Sequence, residues 1–328
     1  MSARVLICGL NWIGDSLMAF PAVAALRQRE PASALSVLVK PGLAALWRLH
    51  PAGLDVLSYE ASHRGTFAQG RALRAAGFTR CHVLPNSFRS AWLPFLAGIP
   101  ERIGRATGPL RDALLTRRLP HLPDDRRHQQ FEYFDLLAPE AAASPAPPQL
   151  ALPAEARAAA EQLLGGRPGP LIGLLPGAAR GPAKRWPAEH FIAVGRRFAA
   201  EGAGLALFGG PAERALCAEV AAAIGPAALD LAGRTPLPVW AAALARCAVV
   251  ICNDSGGMHL AAAVGTPLVA VYGLTDPART GPLGRRCTIV QDSAQRARDI
   301  ARDSQAAQNA LAAIAPARVY EAARAWLG

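Results

Sequence analysis

Short apolar runs alternate with longer amphipathic segments along most of the chain. Runs such as RVLICGL, ALSVLVK and AVVICND are apolar almost throughout and predict buried strands. Segments such as DSLMAFPAVAALRQR and HFIAVGRRFAAEG predict helices. Strands that are buried on both faces belong to parallel sheets covered by helices. The pattern therefore predicts an α/β fold with doubly wound parallel sheets.

The alternation is interrupted at residues 138–153, where APEAAASPAPPQLALP is rich in Pro and Ala and almost uncharged. We interpret this segment as a linker between two doubly wound domains, 1–150 and 151–328, with a cleft between them. The second series is expected to start at the strand PLIGLLPG. The tail SQAAQNALAAIAPARVYEAARAWLG is expected to be helical, and its last helix either stays with the second domain or packs back on the first.

Basic residues are concentrated in one part of the chain. The net charge is +11, and residues 61–118 carry ten arginines against Glu101 and Asp112. The positive electrostatic field of such a segment attracts a phosphorylated substrate, an anionic membrane surface or nucleic acid. Nucleic acid ranks last, because few aromatic residues interleave with the arginines and no nucleic-acid-binding motif is present. A solvated basic face without a specific partner stays open.

Cysteine and lysine usage narrows the class of protein further. The six cysteines are scattered without a C-x-x-C pair, so we expect reduced core thiols and no metal site. No apolar run approaches the roughly 18 residues of a membrane span. The N-terminus enters a strand directly, without a cleavable signal pattern, so we expect a cytoplasmic protein. Lysine is rare, and both lysines, Lys40 and Lys184, are therefore of interest.

The loops that follow the strands carry the candidate chemistry, because ligands of open parallel sheets bind at the carboxyl ends of the strands. The first of them, GLNWIGDSL, places Asp15 at the start of a helix and lacks the G-x-G-x-x-G dinucleotide fingerprint. From spacing alone, a helix cap or first-turn acid explains Asp15 better than a catalytic role does.

Three further loops belong to the second series of strands. In LLPGAARGPAKRWP, backbone N–H groups, Lys184 and Arg185 could hold a diphosphate, or the basic residues could simply be solvated. Gly209 in LFGGPAER suits either the close approach of a ligand or a plain turn. The stretch of residues 249–273 opens a helix whose start could hold an anion. Its candidate residues are Asp254, Ser255, Gly256, Met258 and His259.

These segments together resemble the lipopolysaccharide core heptosyltransferases, glycosyltransferase family 9. PGAARGPAKRWP is similar to the family's P-G-A-x-x-G-P-A-K-R-W-P segment, and NDSGGMHLAAAVGTPLVAVYG to its N-D-S-G-x-M-H-x-A-A-A segment. NWIGDSL belongs to the same pattern, and NSFRSAWLPFLAGIPERIG resembles the heptosyltransferase II branch. The resemblance covers nearly the whole chain.

The resemblance implies a GT-B fold, in which the first of two Rossmann-like domains binds the acceptor and the second binds the nucleotide-sugar. It implies inverting, metal-independent transfer of heptose, without a cofactor, from ADP-L-glycero-β-D-manno-heptose to the heptosyl-Kdo2-lipid A inner core of lipopolysaccharide. The enzyme would work peripherally at the cytoplasmic face of the inner membrane. Asp15 would be the general base, Lys184 would bind the diphosphate, and the loop residues named above would line the donor site. The acceptor residues would be Asn11, Arg64, Arg89, Arg102 and Arg105.

The sequence departs from the family pattern in two places. Cys287 stands alone where heptosyltransferase II members often carry a cysteine-rich stretch, and Gly257 replaces a larger apolar residue. Other functions stay open at this point. They are heptosyltransferase I, another family member with a different acceptor, and a non-catalytic protein that binds a nucleotide-sugar or a polyanion.

Overall fold

The computed structural model separates into two compact units, Met1–Ala151 (unit 1) and Leu152–Gly328 (unit 2). Each unit has its own parallel sheet and its own apolar core. The structure describes residues 3–59, 63–120, 126–166, 169–293, 296 and 300–328.

The described part of unit 1 contains a six-stranded parallel sheet in the order β3-β2-β1-β4-β5-β6. Val5, Leu6 and Ile7 of the central strand are fully buried, because both faces of that strand are covered. The strands are β1 Arg4–Cys8, β2 Ala34–Val39, β3 Asp55–Ser58, β4 Arg80–Val83, β5 Glu101–Arg105 and β6 Arg117–Leu119. The helices are α1 Ile13–Arg29, α2 Pro41–Arg48, α3 His63–Ala75, α4 Phe88–Leu96, α5 Pro109–Asp112 and α6 Gln130–Leu137.

Unit 2 repeats this topology with a parallel sheet in the order β9-β8-β7-β10-β11-β12. Its central strands are again fully buried. The strands are β7 Leu171–Leu175, β8 Gly204–Leu207, β9 Ala228–Asp230, β10 Val249–Asn253, β11 Leu268–Val271 and β12 Cys287–Val290. The helices are α7 Ala154–Leu164, α8 Ala188–Ala200, α9 Arg214–Ile224, α10 Leu237–Leu244, α11 Gly256–Ala263, α12 Pro277–Thr280, α13 Gln305–Ala312 and α14 Pro316–Arg324.

Both sheets have the 3-2-1-4-5-6 strand order of doubly wound nucleotide-binding folds. The α/β class predicted from the apolar pattern is therefore confirmed. The strand order reverses between β1 and β4 in unit 1, and between β7 and β10 in unit 2. Ligands of such folds bind outside the carboxyl ends of the strands at this point. The loops after these four strands are therefore the expected ligand-binding loops.

The apolar pattern misses strands β5, β6 and β12 and helix α7. Charged residues hide the first two strands, since β5 carries Arg102 and Arg105 and β6 is an edge strand with exposed arginines. Helix α7 buries only Ala156, Ala160 and Leu164, so its apolar stripe is narrow. The second series therefore begins with a helix and not with the strand PLIGLLPG.

The segment predicted as a linker contacts unit 1. Residues Pro139–Ala143 form a 3-10 helix that packs against α6, and Ala151 N donates to Leu49 O at 2.8 Å. The tail forms two helices, because Pro316 begins a new one. Helix α14 packs against α8 and against β10, β11 and β12, all of which are elements of unit 2.

Two histidines are buried in unit 1 as neutral rings. His50 accepts from Ala52 N at Nδ1 (3.0 Å), which leaves Nε2–H to donate to Phe20 O (3.1 Å). His82 donates Nδ1–H to Leu136 O at 2.7 Å. Burial lowers the pKa of each imidazole from 6.5 to about 4, because the charged form loses its hydration.

These histidines predict a loss of stability of unit 1 in mild acid. Since the unfolded imidazole has a pKa near 6.5 and the folded one near 4, the unfolded state binds more protons between these values. The free energy of unfolding should therefore be complete above about pH 6.5 and fall as the pH drops to about 4, by on the order of 3 kcal/mol per histidine. Urea unfolding at several pH values, with amide exchange of β4 as the unit 1 probe, measures this loss.

His82→Asn separates this effect from carboxylate titration. The amide nitrogen of Asn can still donate to Leu136 O, but it does not titrate. The variant should therefore lose distinctly less stability than wild type between pH 6.5 and 4. Parallel losses in the two proteins would show that His82 has an ordinary pKa when folded.

Candidate active site

Three loops meet at one edge of the unit 2 sheet, because β7, β8 and β10 are neighbours in it. They are residues 176–187 after β7, 208–213 after β8 and 254–255 before α11. The structure thereby brings the predicted donor-site residues of unit 2 to the same edge of one sheet. These are Lys184, Arg185, Gly209, Asp254, Ser255 and Gly256, with Met258 and His259 in the first turns of α11.

Asn253, the last residue of β10, holds the loop of residues 176–187 against the sheet. The residue is fully buried. Its Oδ1 accepts from Trp186 N at 2.9 Å, and its Nδ2 donates to Pro176 O at 2.8 Å. One side chain therefore binds both ends of the loop. Sequence reasoning missed this residue, although a polar side chain at the end of a wholly apolar strand is a usable signal.

Lys184 and Asp254 form a buried ion pair. Lys184 Nζ lies 2.5 Å from Asp254 Oδ2, and the two side chains are only 14% and 8% exposed. The pair explains why a carboxylate can stand beside a proposed phosphate site, because the neighbouring ammonium neutralises it. An ammonium group has three donors, so two protons of Lys184 are available to an anion at the start of α11.

The rest of the 176–187 loop is braced by arginines. Arg185 donates from Nε and Nη2 to Ala178 O, at 3.3 and 3.2 Å. Ala183 N donates to Arg302 O at 3.2 Å, which joins the loop to the segment before α13. The guanidinium of Arg185 thus braces the loop, and its donor-binding role stays a prediction.

Glu213 fills the space between the loops after β7 and β8. A Cβ on Gly177 would lie 2.1 Å from Glu213 Oε1, and one on Gly209 would lie 3.0 Å from Oε2. The carboxylate also accepts from Gly210 N at 2.7 Å. Gly209 therefore has a packing reason to be glycine, which the sequence alone left undecided. Glu213 has no distinctive signal in the sequence, because a single acidic residue at a helix start is a common feature.

Helix α11 begins at Gly256, with Ser255 at the N-cap position. Within the described residues, the Ser255 hydroxyl makes no capping hydrogen bond to this helix. Met258 and His259 are buried. Tyr272 Oη lies 3.4 Å from Met258 Sδ, and burial raises the pKa of this phenol well above its usual value. Met258 is therefore a core residue that supports the helix.

In unit 1, Asp15 is the third residue of α1, and Trp12 occupies the N-cap position. Asp15 is thus a first-turn acid and not the cap. Gln129 Nε2 lies 3.4 Å from Asp15 Oδ1 and 2.7 Å from Tyr133 Oη. The half-buried carboxylate is therefore oriented by the residue that precedes α6, and it lies at the positive end of the α1 dipole.

A cavity of about 270 Å³ lies at the carboxyl ends of β1, β2 and β4. Two predicted acceptor residues, Asn11 and Arg89, line it together with Lys40, the other lysine of the chain. Arg89 Nη2 donates to Thr66 Oγ1 at 3.3 Å, and its guanidinium lies 5.9 Å from the centre of the Tyr59 ring. The cavity therefore has a positively charged wall suited to an anionic ligand.

The other predicted acceptor arginines differ from Arg89. Arg105 is 4% exposed and donates to Pro120 O, Glu132 O and Asp135 Oδ2 at 2.9–3.2 Å, so it is a structural residue. Arg102 donates to Leu114 O and Ile99 O. Both guanidinium groups are bonded within unit 1, and the acceptor role of Arg102 and Arg105 stays a prediction. The side chain of Arg64 lies outside the described residues.

The described residues contain no group of three or more His, Cys, Asp and Glu side chains placed to hold a metal ion. Within the same residues, no helix has both the length and the apolar character needed to cross a bilayer.

Comparison with known proteins identifies related sequences. The family profile "Glycosyltransferase family 9 (heptosyltransferase)" matches residues 66–309. Lipopolysaccharide heptosyltransferase 2 of Escherichia coli (strain K12) is 32% identical over 305 residues, covering 88% of each chain. Lipooligosaccharide heptosyltransferase 2 of Haemophilus influenzae (strain ATCC 51907 / DSM 11121 / KW20 / Rd) is 33% identical, again over 88% of each chain.

Comparison with solved structures agrees. The structure of E. coli ADP-heptose lps heptosyltransferase II matches with a TM-score of 0.87 and 29% identity, over 99% of this chain and 98% of that one. The match extends over both units, so it includes all the loops described above.

The close packing of α11 on β7 predicts a destabilised Gly257→Ala variant. The added Cβ would lie 2.1 Å from Leu175 Cδ2, and overpacking of this kind costs about 1–3 kcal/mol. In a Leu175→Ala background the same substitution should cost distinctly less, because the clash is removed. Amide exchange of β7 and β10 measures the stability of unit 2 in each variant.

Gly42→Ala in α2 is the control, because a Cβ there would contact nothing within 4 Å, and its effect is measured by amide exchange of β1 and β2 in unit 1. Its effect should stay within about 0.5 kcal/mol. An equal cost of Gly257→Ala with and without Leu175 would contradict the packing explanation.

Proposed function

Because the chain belongs to glycosyltransferase family 9, a family of enzymes, we propose that it transfers heptose from an ADP-heptose to the inner core of lipopolysaccharide. The observation that carries the proposal is the 32% identity to lipopolysaccharide heptosyltransferase 2 over 88% of both chains. We propose ADP-L-glycero-β-D-manno-heptose as donor and heptosyl-Kdo2-lipid A as acceptor. Unit 2 would bind the donor and unit 1 the acceptor.

The donor site is assigned to the edge of unit 2 where the loops after β7, β8 and β10 meet. Backbone N–H groups at the start of α11 and the Lys184 ammonium supply positive charge for the diphosphate. Asp254 holds that ammonium in place, since the two groups are paired at 2.5 Å. These groups would stabilise the charge of the leaving ADP, and we assign them the role that a metal ion has in other transferases.

In the proposed reaction Asp15 acts as the general base. Its carboxylate accepts the proton of the acceptor hydroxyl while that oxygen attacks the anomeric carbon of heptose. The bond from this carbon to the diphosphate oxygen breaks, and ADP leaves with the electron pair. Attack opposite the leaving group inverts the anomeric configuration. The contact with Gln129 supports this role, because it orients the carboxylate.

The acceptor site is assigned to the cavity in unit 1. Lys40 and Arg89 line it, and Asn11 leads from β1 toward α1. Inner-core sugars that carry carboxylates and phosphates would pair with these two cations. Arg102 and Arg105 are left out of this site, because their side chains are bonded within unit 1.

Asp15→Asn tests the base. The variant should fold normally and lose about 10²–10⁴-fold in kcat, the usual contribution of a general base. Turnover is measured as ADP release and heptosylated product, with ADP-heptose and the core acceptor. Asp55→Asn is the matched control in the same unit. Asp55 is the first residue of β3, so it lies at the amino ends of the parallel strands, whereas Asp15 follows the carboxyl end of β1. The control should leave kcat unchanged. A wild-type kcat for Asp15→Asn would refute the assignment.

Lys184→Met tests the diphosphate site. Removing an electrostatic donor of this kind should lower kcat by about 10²–10³-fold. The single change also leaves Asp254 buried without its cation, which costs on the order of 3–5 kcal/mol of stability.

The double variant Lys184→Met/Asp254→Asn separates the two effects. It removes both charges, so it should recover stability but not turnover. Thermal unfolding and kcat are measured for the three proteins. If the neutral double variant turned over at the wild-type rate, Lys184 would have no part in transfer.

A further inference from the structure

Large aromatic side chains of the neighbouring helices α3 and α4 are exposed at the surface of unit 1. Phe67 is 62% exposed, Phe88 48% and Phe95 41%. Phe88 and Phe95 flank Trp92 on α4, and the three rings stack in series with centroids 5.8 and 5.6 Å apart. We call Phe67, Phe88, Trp92 and Phe95 the aromatic face. Apolar groups of this size, when clustered at a surface, mark interaction sites.

Within the aromatic face, Trp92 is partly buried and packs against the core of unit 1, whereas the three phenylalanines are exposed. The helix already has a buried side, formed by Ala91, Leu93 and Pro94. Residues 88, 92 and 95 recur at helical spacing, so they lie on a common side of the helix. Helix α4 therefore has a buried apolar side and an aromatic side on which Phe88 and Phe95 stay exposed.

Helix α3 extends the same surface. Arg89 Nη2 at the start of α4 donates to Thr66 Oγ1 near the start of α3. Arg74 Nη2 near the end of α3 donates to Leu96 O at the end of α4, at 3.0 Å. The two helices therefore lie side by side and parallel. Phe67, Arg71 and Arg74 recur at helical spacing along α3, and all three are exposed.

The surface around the aromatic face is strongly cationic. Arg71 and Arg74 of α3 and Arg89 of α4 are exposed, and residues 61–100 contain no Asp or Glu. Arg102 from β5 adds a guanidinium 5.5 Å from the centre of the Phe95 ring. Exposed aromatic rings among arginines are the pattern of proteins that lie in the interface of an anionic membrane. A second copy of the chain is a poor partner, because two such faces would repel each other.

We propose that the outer surface of α3 and α4 docks on an anionic phospholipid membrane. The aromatic face would enter the headgroup region, and the arginines would pair with lipid phosphates. The inference rests on the proposed function, because an enzyme whose acceptor is linked to a lipid has to work at a membrane surface. The same two helices line the cavity assigned to the acceptor, through Thr66, Gln69, Arg89, Ser90 and Leu93. Docking would therefore hold the cavity close to the lipid surface.

The test is flotation of the full chain with vesicles that contain no acceptor, so that binding is measured independently of heptose transfer. Vesicles of phosphatidylglycerol mixed with phosphatidylcholine should bind wild type, and phosphatidylcholine alone should bind at least tenfold less. Phe67→Ser/Phe88→Ser/Phe95→Ser should reduce binding to the anionic vesicles at least tenfold. The control Leu163→Ser removes an exposed apolar side chain of unit 2 and should change nothing.

A second measurement separates docking from catalysis. Turnover of ADP-heptose with a water-soluble, deacylated acceptor should be the same in the triple variant and in wild type. Failure of the wild type to bind anionic vesicles would overturn the proposal, as would equal binding by the triple variant. A wild-type dimer in sedimentation that the triple variant abolishes, without vesicle binding, would show that the face joins two copies. Absent turnover with intact vesicle binding would refute only the proposed function.

Discussion

The amide of Asn253 ends a fully buried strand, where a polar group must find its hydrogen-bond partners inside the protein. It finds them at Trp186 N and Pro176 O, the two ends of one loop. Held in this way, the loop presents Lys184 to Asp254, the residue that follows Asn253. Without the amide, these two buried backbone groups would lose their hydrogen-bond partner. The proposed donor site thus depends on a buried residue that lies next to Asp254 in the sequence.

A second constraint is space. Glu213 occupies the volume that a side chain at Gly177 would need, and Leu175 occupies the volume beside Gly257. The second contact gives a local explanation for the departure from the family pattern at residue 257. Leu175 of β7 fills the space that a side chain at residue 257 of α11 would need. The size of the side chain allowed at one position therefore depends on the residue that the neighbouring element places beside it.

The sequence predicts a strand wherever both of its faces are apolar, and it fails where charges enter the sheet. Arg105 shows the reason most clearly. Its charge indicates a ligand on the surface, but the side chain is buried and bonded to Asp135 and two carbonyl oxygens. The direction in which an arginine side chain points, and the groups that it bonds, depend on tertiary packing. The spacing of arginines along the sequence does not show either of them.

The sequence likewise identifies the residues of the candidate site, but not the contacts between them. Loops after strands identify Lys184 and Asp254, whereas their pairing requires β7 and β10 to be neighbours. Lys40 attracts attention only as a rare residue, and its cavity is formed by strands distant in sequence. The residues FRSAWLPF of α4 predict a helix, but which side of it stays uncovered is a property of the folded unit.

The contrast between the two lysines has a practical consequence for chemical labelling. The Lys184 ammonium is largely buried and bound to a carboxylate, whereas Lys40 is exposed where it lines the cavity of unit 1. Apart from the two lysines, the permanently charged basic side chains are arginines, and a guanidinium group does not react as an amine. Apart from the α-amine, an amine-directed reagent therefore has one accessible target, at the wall of the cavity. A spectroscopic reporter or a cross-linker can be attached there without introducing a cysteine, next to whatever ligand the cavity holds.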